Sequence, residues 1–427
     1  MVPPGLFPRL SKTVLAASIP FTLAGCNAWE PPGSHALFIY IQSGTAINEK
    51  ASNRQNAENL DRQDLLLQLL DRYRRKDPKA TIHVRTIPAE DLSREVRLRQ
   101  NSGLGPDLVI SDVRQAFELN EQRLTSPIQI PAERLQNISK AAIQPFQQNG
   151  LTLALPVSLQ PQIACFNRAR LPEPPQSLEQ VLMLAARGHR MGLPIQLRDL
   201  AWTASGLAEH EQPLILEAIQ SDRIPSKSNL AARRALAHWI DWIRKASLQQ
   251  YVVFADSNDE LYSQFLDGQL DWIPCRSYKA RLLQKKLGPH FGATPLPGRT
   301  EGQPAAATVR VMAWSFGRHS SAAQQRMAKD FALFSLNEVN QKDLMLNTQT
   351  SLPVNTNVII PVKSSQLLAA MKTSLQNGIL LHFDRKMLML SADDSKLQSL
   401  VRQAVLGESW TTPLKPTNGR SGGGSQS

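Results

Sequence analysis

Several polar and aromatic residues follow or end short apolar stretches of the sequence. Ser111 and Asp112 end the stretch GPDLVISD, and Tyr40 and Gln42 end ALFIYIQ. In open α/β sheets, ligands bind beyond the carboxyl ends of the strands, so these side chains are suited to hold a solute. Carboxylates and amides pair with the hydroxyl groups of a solute, and aromatic rings cover its apolar faces. We therefore expect these residues to contribute to a binding site for a small polar solute.

The same argument extends to residues that follow later apolar stretches. Arg198, Asp199 and Trp202 lie in a loop after one such stretch, and Arg276 and Tyr278 follow another. The predicted binding residues are Tyr40, Gln42, Ser111, Asp112, Arg198, Asp199, Trp202, Arg276, Tyr278 and Trp314.

Some of these residues have a purely structural alternative. Trp314 lies inside an apolar strand, where a core position is the stronger interpretation. Asp112 fits the cap of the following helix as well as a binding site. Trp202 and Tyr278 fit a core and a cleft equally. The two arginines of the set fit either a solvated surface or the binding of a phosphate or carboxylate group.

The sequence contains none of the catalytic motifs that we considered. It has no Gly-x-Ser-x-Gly, His-Glu-x-x-His or Walker motif, and Gly103-x-Gly105 lacks the third glycine of a dinucleotide-binding loop. Its eight histidines show no metal-ligand spacing, and its three cysteines offer no zinc site. We therefore predict a protein that is not an enzyme and that needs no cofactor or metal.

The N-terminal segment has the features of an export signal. Arg9 and Lys12 precede an apolar stretch, residues 13–24, that is shorter than the roughly 20 apolar residues of a membrane-spanning helix. The stretch LAGC, residues 23–26, resembles the bacterial lipobox. The resemblance implies cleavage before Cys26, lipid on its thiol, and a membrane-anchored protein that faces the periplasm or the cell exterior. The alternative is a soluble secreted protein with an incidental cysteine.

Apart from Cys26, the sequence has two further cysteines, Cys165 and Cys275. An exported chain can oxidise such a pair to a disulfide. The sequence cannot show that the two residues lie close together, and two buried thiols are the simpler interpretation.

The chain is basic, with a formal net charge of +12 at pH 7. Such a charge favours a nucleic acid, an anionic membrane surface or an acidic small ligand as partner. The basic residues are dispersed, and their densest cluster, residues 72–76, lies at the end of a predicted helix, where cations interact favourably with the helix dipole. Basic and aromatic residues do not interleave, so we predict no nucleic-acid binding. The charge thus indicates surface adhesion or an acidic ligand.

Alternating strands and helices must position the candidate residues. The stretches ALFIYIQ, ATIHVRTI and GPDLVISD predict strands, and DRQDLLLQLLDRYRR and AEDLSREVRLRQNSG, which lie between them, predict helices. This order indicates a mainly parallel sheet with right-handed crossovers. The C-terminal tail, residues 411–427, is poor in apolar residues and is predicted to be disordered.

Several short stretches occur in an order and spacing that indicate a family. They are GPD at 105–107 before an apolar strand, GLTLALPVSLQPQIACFN at 150–167, the proline-then-helix stretch 172–180, FLDGQ at 265–269, TPLPG at 294–298 and LPVN at 352–355. Together they resemble the extracellular solute-binding proteins of ABC importers, in the group that includes maltose-binding protein. Phe166 and the pair Asp271-Trp272 depart from the residues that are common in this family.

The resemblance implies a two-lobed α/β fold, the type II periplasmic-binding-protein fold. Each lobe would be a mainly parallel sheet flanked by helices, and three hinge crossings would join the lobes. The implied crossings lie near residues 154–156, 295–298 and 352–355. The implied division is a signal peptide 1–25, a tether 26–35, lobe one 36–152 plus 298–348, lobe two 157–294 plus 355–410, and the tail 411–427.

The resemblance also implies a function. A monomeric, lipid-anchored receptor would capture a small polar solute between its lobes and deliver it to a membrane permease and its ATPase. A carbohydrate or polyol is the solute that the family favours. The basic charge favours an alternative, an anionic solute such as a sugar phosphate. A sensor or scaffold lipoprotein with the same fold is a further alternative.

Overall fold

The computed structural model describes residues 36–43, 68–378 and 395–407. Cys26, the expected signal peptide and tether, the tail 411–427 and the start of the helix expected from residue 61 lie outside these ranges. Within the three described ranges, no helix combines the length and the apolar character that crossing a membrane requires.

The described residues form an α/β structure in which strands alternate with helices, as predicted. The strands are β1 Ala36–Ser43, β2 Thr81–Pro88, β3 Leu108–Asp112, β4 Gln147–Gln148, β5 Leu151–Thr152, β6 Ala154–Asn167, β7 Met191–Pro194, β8 Val252–Ala255, β9 Trp272–Arg276, β10 Phe291–Thr294, β11 Val309–Phe316 and β12 Leu352–Pro353. The helices are α1 68–76, α2 Ala89–Asn101, α3 Val113–Glu121, α4 Lys140–Ile143, α5 Leu178–Ala186, α6 Leu197–Leu200, α7 Gln212–Ser221, α8 Leu230–Ser247, α9 Asn258–Leu266, α10 Ser277–Leu287, α11 Ala322–Ser335, α12 Glu338–Thr348, α13 Gln366–Gln376 and α14 Lys396–Leu406.

The large sheet has the strand order β2-β1-β3-β11-β6-β9-β7-β8, and β10 and β12 also pair with β6. We call β1, β2, β3 and β11 the first half of the sheet, and β7, β8, β9 and β10 the second half. In the first half β1 pairs in parallel with β2 and β3, and in the second half β7 pairs in parallel with β8 and β9. Helices lie between these parallel strands in the chain, which is the crossover arrangement predicted from the sequence.

One long strand, β6, is shared by the two halves of the sheet. It pairs with β11 as far as Pro161, which lies opposite Val309, and its residues 162–166 pair with β9. Pro161 has no N–H to donate to a neighbouring strand, and it lies where β6 exchanges one partner for the other. The pairing therefore changes at residues 161–162, several residues after the crossing expected at 154–156.

The other two expected crossings, residues 295–298 and 352–355, pair with different parts of the sheet. The stretch 295–298 stays with the second half, since Gly298 forms a parallel bridge with Ser177. The chain reaches the first half only at Val309, where β11 begins. The stretch 352–355 contains β12, which pairs with Ser158 and Leu159 in the middle of β6. All three passages thus meet at one short segment of β6.

Cys165 on β6 and Cys275 on β9 form a disulfide, with their Cα atoms 5.8 Å apart. The simpler interpretation of two buried thiols is therefore wrong. The two residues are 110 positions apart in the chain and become neighbours only because β6 pairs with β9. The bond joins the central strand to the second half of the sheet, directly beside Arg276.

Capping side chains begin several of the helices. Ser177 accepts a hydrogen bond from the backbone N–H of Gln180 at 3.2 Å, and Asn229 accepts one from Ala232 at 3.1 Å. Each cap satisfies a backbone donor that the first turn of a helix leaves unpaired. The caps define where α5 and α8 start.

Replacing both Cys165 and Cys275 by alanine is expected to lower the free energy of unfolding by about 2–4 kcal/mol, because the bond restricts the unfolded chain. Guanidinium unfolding of the exported protein, with and without a reducing agent, measures this effect. Reduction should move the midpoint of the wild type toward that of the double variant and leave the variant unchanged. Two free thiols from this pair in the unreduced, unfolded wild type would contradict the assignment.

Candidate ligand-binding site

Most of the predicted binding residues converge beside the middle of β6. The convergent residues are Gln42, Asp112, Arg198, Asp199, Arg276 and Tyr278, to which the structure adds Arg310 of β11. We call these residues, including Arg310, the polar cluster. The cluster draws on β1, β3 and β11 from the first half of the molecule, and on α6, β9 and α10 from the second half.

Asp112 both caps a helix and contributes to the polar cluster. It follows β3 and accepts a hydrogen bond from the backbone N–H of Gln115 at 3.0 Å, which begins α3. Gln42, at the end of the adjacent strand β1, donates its side-chain amide to Asp112 at 3.1 Å and accepts the Asp112 backbone N–H at 2.7 Å. The two strand ends are therefore held together by a reciprocal pair of hydrogen bonds.

Each half of the cluster contains an ion pair. The Arg310 guanidinium lies 2.8 Å from the Asp112 carboxylate in the first half, and Arg276 pairs with Asp199 in the second half. Burial would lower the pKa of both arginines, but the facing carboxylates outweigh it and the pKa of each is raised. Burial would raise the pKa of Asp112, but the Arg310 charge and the hydrogen bonds it accepts bring it below its ordinary value. These three groups are therefore charged at neutral pH.

The ion pair of the second half is embedded in a hydrogen-bond network. Asn258 donates to the Asp199 carboxylate at 2.7 Å, and Arg276 donates a second guanidinium N–H to the Thr308 hydroxyl at 3.0 Å. Thr308 in turn donates to the Gln162 side-chain oxygen at 3.0 Å, and the Gln162 amide donates to the backbone carbonyl of Asp199 at 2.8 Å. The network links α6 and β9 to the central strand and orients both charged groups.

The two halves of the cluster meet over β6. Gln160 lies opposite Arg310 and Gln162 lies opposite Arg276, so all four side chains point to one face of the sheet. The Arg310 guanidinium lies 5.4 Å from the centre of the Tyr278 ring, which is within the range of a cation–π contact. This contact joins a residue of the first half to a residue of the second.

The predicted tryptophans lie in the core rather than in the cluster. Trp202 is 1% exposed, and its ring meets that of Trp272 edge-on with centroids 6.1 Å apart. Trp314 is also 1% exposed and donates its indole N–H to Ser335 at 3.0 Å. The sequence left Trp202 open between a core and a cleft position, and the structure places it in the core, packed against Trp272. For Trp314, the core interpretation is the one that the structure bears out.

Two residues on the strands of the first half are also buried away from the cluster. Tyr40 is 6% exposed and packs among apolar side chains that include Ile87, Leu92 and Val109. Ser111 is fully buried in β3. Ser111 directly precedes Asp112, so alternation turns its side chain to the opposite face of β3. Tyr40 shares a face of β1 with Gln42 but lies two residues earlier, among apolar neighbours. Tyr40 and Ser111 are therefore not among the residues that the structure brings together.

Sequence analysis missed Arg310 and the two glutamines of β6. Their signals were nevertheless present. Arg310 is the one charged residue in the apolar stretch VRVMAWSF. Gln160 and Gln162 flank Pro161 in the mainly apolar stretch SLQPQIACF. A charged or amide side chain in a strand that is buried on both faces needs a polar partner, and this requirement indicates a site.

A mainly apolar cavity of about 130 Å³ adjoins the cluster at Gln42 and Gln160. Its other lining residues include Ile41, Val157 and Trp314. None of its described lining residues belongs to the strands of the second half, so a solute confined there would miss that half of the sheet. The polar cluster, which uses both halves, is the better candidate for the binding site. Among the residues that the structure describes, no group of His, Cys, Asp and Glu side chains is arranged to hold a metal ion.

Solved structures share this fold. The GacH receptor of Streptomyces glaucescens GLA.O, known without ligand and with acarbose or an acarbose homolog, matches with a TM-score of 0.63 and 14% identity over 87% of this chain and 94% of its own. The maltodextrin-binding protein MalE1 of L. casei BL23, without ligand, matches with a TM-score of 0.63 and 15% identity over 87% and 93% of the two chains. The fold is thus the two-lobed one that the sequence predicted. No curated protein sequence matches the chain.

The sequence also matches a protein family directly. The family described as bacterial extracellular solute-binding protein matches residues 68–372, which is most of the chain and includes nearly all of the polar cluster. This is a family of binding proteins rather than enzymes, as predicted. The chain belongs to the bacterial extracellular solute-binding proteins.

Proposed function

We propose that this protein is the solute-binding component of an ABC importer, exported and anchored to the membrane by lipid on Cys26. As a monomer it captures a small polar solute between two lobes and delivers it to a permease and its ATPase. Membership of the extracellular solute-binding family supports this role, as does the fold shared with two solute receptors.

The polar cluster is the single observation on which the proposal rests. Side chains from both halves of the sheet converge over β6, and Arg310 meets Tyr278 across the junction. A solute bound there would contact both halves at once. Because a ligand stabilises the conformation to which it binds more tightly, such a solute would favour the arrangement in which the halves lie close together.

The division expected from the sequence is lobe one 36–152 plus 298–348 and lobe two 157–294 plus 355–410, and we propose the same two lobes with the first two boundaries moved to the hinge positions that follow. Strand pairing supports hinge positions at residues 161–162, 308–309 and 352–353, where the chain passes between the halves of the sheet. A hinge needs only a few residues at the ends of elements to absorb the rotation. Three such passages side by side define one axis of closure.

A hydroxyl-rich solute, a carbohydrate or a polyol, suits the polar groups of the site. Hydroxyl groups lose water when a cleft closes, and each then needs a hydrogen-bond partner. The side-chain oxygen of Gln160 is buried and receives no hydrogen bond from the residues that the structure describes, so it is available to accept one from a solute. The acarbose and maltodextrin receptors that share the fold support the same class of solute.

A matching solute is expected to raise the melting temperature of the mature protein, and the increase should grow with the logarithm of the solute concentration above Kd. At a concentration of 100 times Kd the stabilisation is about 2.7 kcal/mol, which a thermal-shift assay resolves easily. The panel consists of maltodextrins, acarbose, glycerol and other polyols, sugar acids and sugar phosphates. If the folded protein shows no shift with any member, the proposed capture of a small polar solute is contradicted.

Tyr278→Ala should weaken binding of any solute found in this way by about tenfold, or about 1.4 kcal/mol, because it removes the ring that faces Arg310. Isothermal titration calorimetry measures the change in Kd. Tyr251→Ala is the matched control, since Tyr251 precedes β8 at the end of the strand that lies away from the cluster. An equal loss of affinity in both variants would show that Tyr278 is not part of the site.

Cys26→Ala should release the protein from the membrane, because the variant lacks the thiol that carries the lipid. Fractionation of cells that express the full chain should place the wild type with the membrane and the variant in the soluble exported fraction. Mass spectrometry of the wild-type N-terminal peptide should show diacylglycerol and the added acyl chain. Equal membrane association of both proteins would contradict lipid anchoring.

A further inference from the structure

We propose that the solute of this protein is amphiphilic. Its polar part lies in the polar cluster, and an attached apolar group, about the size of a benzene ring, enters the adjoining cavity of about 130 Å³. Where the two parts join, a hydroxyl or amine of the solute donates a hydrogen bond to the side-chain oxygen of Gln160. This inference rests on the proposed function, because it names the class of solute that the same site takes.

The cavity has apolar walls that come from both the sheet and the helices. The apolar side chains that line it are Ile41 of β1, Ile110 of β3, Val157 of β6, Met312 of β11, Leu69 of α1 and Leu344 of α12. Protein cores are close-packed and contain few voids larger than a water molecule, so a cavity of this size beside the binding cluster indicates room for part of a ligand. An apolar cavity of about 150 Å³ is sufficient to hold benzene, and this one is of similar size.

Gln42 and Gln160 connect the cavity to the polar cluster, since both residues line the cavity. Gln42 belongs to the cluster and donates its side-chain amide to Asp112 at 3.1 Å. Gln160 lies opposite Arg310 in the pairing of β6 with β11. A solute that is held by the cluster therefore has an apolar recess next to it. Such a solute can fill the recess and still contact both halves of the sheet, which a solute confined to the cavity could not do.

The charged residues in the described lining of the cavity are paired with each other. The Arg72 guanidinium of α1 forms an ion pair with the Asp343 carboxylate of α12 and donates a hydrogen bond to the Asn340 side chain at 3.2 Å. Ser335, another lining residue, donates its hydroxyl to a backbone carbonyl of α11 at 2.6 Å and accepts the indole N–H of Trp314 at 3.0 Å. These polar groups need no partner from a solute, so the cavity suits an apolar group.

Gln160 is the polar lining residue that a solute can satisfy. Its side chain is 7% exposed, and its side-chain oxygen is buried and accepts no hydrogen bond within the described part of the chain. A buried acceptor without a donor costs free energy, which a hydroxyl or amine of a bound solute would recover. Because Gln160 lies where the cavity adjoins the cluster, the donor must be close to the point at which the apolar group is attached.

Isothermal titration calorimetry on the mature protein tests the inference with phenyl and methyl β-D-glucopyranoside. The two glucosides share their sugar hydroxyl groups and differ only in the apolar group. We expect the phenyl glucoside to bind ~10-fold or more tightly, because its ring leaves water for the cavity. Its binding should also have the more negative heat-capacity change, which marks the burial of apolar surface. Benzyl alcohol, measured by ligand-detected NMR, is a third probe that supplies a ring and a hydroxyl donor without a sugar.

Val157→Phe and Val157→Leu enlarge a side chain of the cavity wall and so occupy space that the solute would use. Val157→Phe should abolish the advantage of the phenyl over the methyl glucoside, and Val157→Leu should reduce it. Val252→Leu is the matched control, because it makes the same change at a buried valine in β8, the outermost strand of the second half, and it should leave the advantage intact. The melting temperature shows whether each variant is folded, and Val157→Leu decides the question if Val157→Phe is not.

Gln160→Met keeps the length of the side chain and removes the acceptor. It should weaken binding of benzyl alcohol ~5-fold or more, because the hydroxyl of the probe loses its buried partner. Gln148→Met, at an exposed position of β4, is the matched control and should leave the affinity unchanged. Equal affinity of the wild type and Gln160→Met would overturn the hydrogen bond assigned to Gln160.

The outcomes separate the inference from the proposed function. An advantage of the phenyl glucoside that the Val157 variants reduce and Val252→Leu does not supports both. Equal binding of the two glucosides, or an advantage that the Val157 variants retain in full, overturns the inference and leaves the proposed function in place. Binding of benzyl alcohol that Val157→Phe abolishes, without binding of either glucoside, supports the apolar pocket and excludes glucose as the polar part. Failure of all three probes to bind to the folded wild type overturns the inference, whereas the proposed function is contradicted only if the wider solute panel fails as well.

Discussion

Hydrogen bonding of β6 to both halves of the sheet is the constraint on which the rest of the structure depends. A strand exposes alternate side chains on its two faces, so Gln160 and Gln162 share one face, with Pro161 between them on the other. Their cross-strand neighbours Arg310 and Arg276 must then lie on that face as well. The register of a single strand therefore brings a guanidinium from each half into one site. A shift of one residue would turn the whole row to the opposite face.

Each of the two ion pairs of the polar cluster lies within one half of the sheet. Arg310 is held by Asp112 of the first half, and Arg276 by Asp199 of the second half. Arg310 and Tyr278 meet across the junction through a ring contact. Opening of a cleft at this junction would leave both ion pairs intact, so each wall would keep its charged groups oriented. Groups that are oriented in advance lose less conformational entropy when a solute binds.

Each half of the sheet is also braced by its own tie. In the second half, the disulfide holds Cys275 against β6 immediately before Arg276. In the first half, the buried Asp107 accepts hydrogen bonds from the backbone N–H of Phe38 at 2.8 Å and from the Ser320 hydroxyl at 2.6 Å, which joins β1 to the turn before β3 and to the start of α11. The disulfide thus lies beside the strand end that carries Arg276, whereas the Asp107 tie holds the ends of β1 and β3 that lie away from Gln42 and Asp112.

The sequence by itself determined the alternation of strands and helices, the caps at Ser177 and Asn229, and the placement of Asp112 and Arg276 at strand ends. These features depend on periodicity and local hydrogen bonding, which involve residues close together in the chain. Only the tertiary structure decided which residues meet. The partner of Cys165 is 110 positions away, Trp202 is buried because Trp272 packs against it, and Arg310 faces Asp112 because β11 lies beside β3. Such contacts follow from strand order and register, which link distant parts of the chain and leave no local pattern in the sequence.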